Sequence, residues 1–103
     1  MRHSDWQRVL STCDELNALI DGCNPGENDW ALAQVHTLCA RMRGPTKLLN
    51  AQLNRIEAAA DTYFSVRKWA AHAQGAEGVK NDIVQKDLSR IRHEALRRIW
   101  LQA

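Results

Sequence analysis

The sequence predicts an all-α protein, a bundle of four helices forming two antiparallel hairpins, with the third and fourth helices longest. Two prolines and five glycines gather at three points, around residues 23–26, at Gly44 and Pro45, and from Gly75 to Gly78. Such residues punctuate regular structure. Between those points the chain is rich in Ala, Leu, Arg, Gln and Glu, which lose little entropy in a helix, and poor in β-branched runs that would favour strands. Each stretch also repeats its apolar residues at three- and four-residue spacing, the mark of a helix with one buried face.

The first helix is expected over residues 4–22. Ser4, Asp5, Trp6 and Gln7 have the form of a capping box, in which the hydroxyl and the Gln side chain satisfy free amides of the first turn. Trp6, Val9, Leu10, Cys13, Leu16 and Ile20 make its inner stripe. Asn24, Pro25 and Gly26 form a turn, because Pro presets one backbone angle and Asn and Gly tolerate an unusual one. A second helix then covers residues 28–43, with Ala31, Val35, Leu38, Cys39 and Met42 inward. So short a connection makes an antiparallel hairpin, with Cys13 and Cys39 facing each other.

Gly44 and Pro45 end the second helix and open the third, Gly being favoured just past a helix end and Pro in a first turn. The third helix is expected over residues 46–74, on the order of 40 Å long. Its stripe is Leu49, Leu53, Ile56, Ala60, Tyr63, Phe64 and Ala70, with Arg67 as an anomalous cation within it. Gly75, Ala76, Glu77 and Gly78 read as a loop. The fourth helix, residues 79–102, turns Val84, Leu88, Ile91, Ala95 and Ile99 inward. Unequal hairpins would leave part of the longer pair uncovered, a candidate dimer or partner surface.

A chain of 103 residues fits one domain with a single core. Hydrophobic residues at 45% and charged residues at 25% lie in the globular range and argue against disorder. No stretch approaches the roughly 18 to 20 uncharged apolar residues of a membrane span, and the start leads into an amphipathic segment rather than a signal-peptide block. Three cysteines, Cys13, Cys23 and Cys39, are an odd number without metal-type spacing. Free thiols of this kind point to a reducing cytoplasm.

Functional candidates concentrate on the fourth helix. At about 100° per residue, Lys86, Arg90, His93 and Arg97 align opposite the apolar stripe as a basic ridge. Trp100 projects beside that ridge as an anchoring or stacking group. Trp69 and Trp30 fall off their own stripes, which puts them either between hairpins or at an interface. The chain is polarised: residues 45–103 hold ten Lys and Arg against six Asp and Glu, a net of +4, and residues 1–44 hold four against six, a net of −2.

Other chemistries have less in the sequence to support them. His36 and Cys39 stand three apart, and Cys13 could approach them, but no Cys-x-x-Cys pair completes a zinc pattern. There is no phosphate-binding glycine loop, metalloprotease helix motif or nucleophile elbow. Cys13 with His36 as its base has no visible cleft, and Asp14 with Glu15 reads as a solvated pair. The expectation is therefore a non-enzymatic protein without cofactor or metal, an inhibitor, adaptor or regulator. It would bind an acidic protein surface through Lys86, Arg90, His93, Arg97, Trp100 and Trp69, and would form a homodimer. The alternative is a nucleic-acid-binding regulator using the same basic face, for which a total charge of +2 is small.

Overall fold

The computed structural model describes residues 3–66 and 73–102. Arg67, Trp69 and Ala70, which the sequence places on the third helix, lie outside the described residues. The fold is all-α. Helices α1 (His3–Gly22), α2 (Asp29–Met42), α3 (Lys47–Tyr63), α4 (Ala73–Asn81) and α5 (Ser89–Gln102) are present, and a π-helical segment, Asp82–Leu88, joins α4 to α5. Among the described residues there is no strand, and no helix is long and apolar enough to cross a membrane.

Local chemistry sets several of these boundaries. Asn28 caps α2 by accepting from the Ala31 amide at 3.0 Å, and Thr46 caps α3 by accepting from the Leu49 amide at 3.0 Å. Each cap satisfies a first-turn donor that would otherwise lack a partner. Gly26 and Gly44 both have φ above +120°, a region open to glycine and strained for residues with a Cβ. The first helix already includes His3, one residue before the expected start at Ser4.

Three expectations are corrected. The third helix ends at Tyr63, not near residue 74, and its 17 residues make it shorter than the 20 of α1. Tertiary hydrogen bonds accompany that stop. The Tyr63 and Phe64 carbonyls accept from the amides of Gly26 and Asn28, both at 2.9 Å, in the loop between α1 and α2. Thr62, Ser65 and Val66 are also weak helix formers, so little local preference opposes the stop.

The second correction concerns Gly75 to Gly78, which are helical within α4 instead of forming a loop. Two glycines weaken a helix by about 1 kcal/mol each relative to Ala, but Ala76 is buried and Val79 packs against the core. Burial outweighs propensity here.

The third correction is to the stripe of the last helix. Ile83, outside the expected stripe, is buried here together with the expected Leu88 and with Asp87, and Val84 packs half-buried against the core. Ile83 and Leu88 are five apart, one residue more than an α-turn accommodates. The π segment absorbs that residue through its wider i→i+5 turn. Ala76, Ile83, Leu88, Ile91 and Ala95 can then all reach one core, which also holds Trp6, Leu16, Ile20, Val35, Leu53, Ile56 and Phe64.

Helix–helix contacts follow the side chains. α1 meets α2 where Arg8 Nε donates to the Arg41 carbonyl at 3.0 Å and Cys13 Sγ to Met42 Sδ at 3.7 Å. α1 meets the last helices where Asp14 pairs with Arg92 and Asp21 with Lys80, both at 3.1 Å. α3 meets the π segment where Arg55 approaches the buried Asp87 at 3.5 Å. The described residues extend 48 Å along the long axis and 22 Å across.

Candidate partner-binding face

The outer face of the last helix carries most of the predicted residues. Arg90, His93, Arg97 and Trp100 are all exposed, on the side of α5 away from the buried Ile91 and Ala95. Trp100 is 80% exposed, and Leu101 and Leu96 are exposed beside it. The i, i+3 and i+4 spacing within α5 is what sets them on one surface.

Lys86 is exposed as well and lies in the π segment, four residues before Arg90. Its ammonium pairs with Asp82 at 3.1 Å. Lys86 and Arg90 still border a common shallow groove with Arg55, Ala58 and Ala59. Trp69 lies outside the described residues. Trp30, on α2, is 62% exposed.

Charge on the face is partly compensated. Arg97 and Arg98 both bind Glu94, at 2.8 and 2.7 Å. Those bonds, to Arg97 first and then Arg98, hold the Glu94 carboxyl down to about 2. Arg90 and His93 have no carboxylate partner among the described residues. A partner carboxylate would therefore meet Arg90 without displacing an existing pair, which favours its recruitment.

A groove of about 320 Å³ adjoins this face, between the start of α3 and α5. Its floor is Trp6, Leu49 and Ile91, its wall Leu48, and its rim Arg90 and Arg98. Leu48 is 65% exposed, and the Arg98 guanidinium sits 5.5 Å from the centroid of the Trp6 ring, within cation–π range. The sequence pattern does not reveal this groove, because Leu48 sits off the α3 stripe and nothing local says that α3 and α5 adjoin. Exposed leucines next to a stripe, at Leu48, Leu96 and Leu101, were the available signal.

Two of the three thiols are chemically quiet. Cys13 and Cys39 are buried and all three cysteines are free. Burial pushes the Cys13 and Cys39 thiols up to about 12, which leaves them protonated and poorly nucleophilic. His36 turns to α3 instead, with Nδ1 2.6 Å from Glu57 and Nε2 3.3 Å from Asp61. Arg43 also binds Glu57. Among the described residues no group of three His, Cys, Asp or Glu side chains is placed to hold a metal ion.

The His36 clasp makes a pH prediction. The hydrogen bond to Glu57, and then that to Asp61, raises the His36 pKa above its ordinary value. A raised folded pKa gives stability that is fully present below the unfolded value of about 6.5 and lost as pH rises through the folded pKa. His36→Gln should therefore lower Tm more at pH 6 than at pH 9. The pair is exposed, so the difference should stay within about 1 kcal/mol. A Tm deficit that is flat with pH would show that the imidazolium is not what the clasp stabilises.

No known protein family, curated protein or solved structure matches the chain.

Proposed function

We propose that this chain is one helical domain whose rods close as a bundle of antiparallel neighbours, and that it acts stoichiometrically as an inhibitor, adaptor or regulator by binding a protein partner. The outer face of α5 is the contact surface, through Arg90, His93, Arg97 and Trp100. The observation that carries the reading is Trp100, 80% exposed, on the same face as Arg90 and His93, which have no carboxylate partner among the described residues. An exposed aromatic among cations is the composition of an interface hot spot. Arg97, Arg98 and Lys86 already engage acids of their own segment, which leaves little free positive charge for a phosphate backbone. That favours an acidic protein surface over nucleic acid.

Trp100→Ala and Arg90→Glu should each weaken partner binding by about thirtyfold or more, the range of a 2 kcal/mol hot spot, with helicity unchanged. The measurement is capture of the tagged chain's partner from its source lysate after nuclease treatment, comparing wild type with each variant by quantitative mass spectrometry. Retention of one abundant protein by wild type and its loss from both variants supports the reading. Equal retention by all three, or recovery that vanishes with nuclease, rejects it.

A further inference from the structure

The groove beside the face has features the face alone does not explain. Its floor and wall are apolar, yet its rim is cationic: Arg90 and Arg98 border it against one carboxylate, Glu94. Arg97 and Arg98 already bond that carboxylate. Arg90 is the surplus charge. The first turn of α3, capped by Thr46 at the groove's edge, adds the partial positive charge of a 17-residue helix at its N-terminus. Trp6 is 1% exposed, and its buried indole N–H has no hydrogen-bond partner among the described residues.

Size and position narrow the occupant. About 320 Å³ is at the bottom of the roughly 300–1,000 Å³ range of ligand pockets, enough for an anchoring side chain. The groove also adjoins the partner face, since Arg90 and Glu94, which line it, are followed along α5 by Arg97 and Leu101 at i+7 and i+11 from Arg90. That spacing keeps them on one side of a helix. Leu48 and Leu101, each 65% exposed, supply apolar contact on α3 and α5.

We propose that this groove receives a large apolar side chain from an acidic segment of the partner, with an Asp or Glu of the same segment on Arg90. The inference rests on the partner-binding reading and specifies its chemistry. The segment is amphipathic: its anchor fills the space over Trp6, Leu49 and Ile91, and its carboxylate neutralises the rim. Anchor and acid three or four residues apart on a helix would meet both features.

The test is selection of random dodecapeptides displayed on phage against the full chain at physiological salt. Enriched sequences should pair a Leu, Phe or Trp with an Asp or Glu three or four residues away. A fluorescein-labelled copy of the most enriched peptide should then bind Leu48→Asp and Arg90→Glu at least about tenfold more weakly than wild type, and Trp30→Ala with wild-type affinity. Leu48 and Arg90 are exposed, so both variants should fold, which circular dichroism checks. No enrichment, enrichment of basic or anchor-free peptides, or equal affinity for Leu48→Asp overturns the inference. Lysate capture separates the two readings: a partner lost by Trp100→Ala but kept by Leu48→Asp leaves the α5 face standing and removes the groove.

Discussion

Trp6→Ala should destabilise the protein by about 3–5 kcal/mol, the range for truncating a fully buried aromatic. Trp6 is 1% exposed and belongs to the core cluster. Its loss would leave a cavity beneath the α3–α5 groove and remove the surface over which Arg98 lies. Since many domains have only about 5–15 kcal/mol in total, the variant should approach the folding limit. A urea titration would show a lower midpoint at unchanged slope. Trp6→Phe should cost much less, because it keeps most of the ring and removes an N–H without a partner among the described residues, whose burial is itself unfavourable. If Trp6→Phe were as damaging as Trp6→Ala, the indole N–H would be making a bond that matters.

The second large effect is a contrast between two single-residue deletions in the last helix. Deleting the exposed Gln85 from Asp82–Leu88 leaves Ile83 and Leu88 four apart, the spacing of an ordinary α-turn. The π segment should become α-helical, with a stability change within about 1 kcal/mol. Deleting the exposed Arg92 from α5 instead rotates everything beyond it by about 100° relative to Ile91. That takes Ala95 and Ile99 off the core and breaks the Arg92 pair with Asp14. The loss should be several kcal/mol, comparable to the whole stability of a small domain. Thermal melts of both deletions decide the matter. Similar large losses for the two would mean that the π turn does more than house an extra residue.

The same π segment shows where pattern reading stops. A stripe drawn at α-helical spacing puts Leu88, Ile91 and Ala95 inward, where they are, and Val84, which packs half-buried against the core, but it leaves out the buried Ile83. The spacing is right from Leu88 onward and misses Ile83 before it, because hydrogen-bond register is not visible in residue identity. Likewise Arg90, His93, Arg97 and Trp100 are legible as a face because they share one uninterrupted α-helix. Lys86 lies in the π turn that precedes that helix. The groove at Leu48 is illegible, since its two walls come from α3 and α5.

By itself the sequence determined the helical class, the starts of α2 and α3 near Asn28 and Thr46, the turns at Gly26 and Gly44, and the cores of α1 and α2. All of these depend on residues within a few positions of one another, through propensity, capping and apolar spacing. Tertiary structure alone decided that α3 stops at Tyr63, that Gly75 to Gly78 are helical, and that the last helix carries a π turn. In each of these, long-range contacts worth more than about 1 kcal/mol outweigh a local preference of about that size. The Gly26 and Asn28 amides occupy the carbonyls at the end of α3, and the common core takes up Ala76, Ile83 and Leu88.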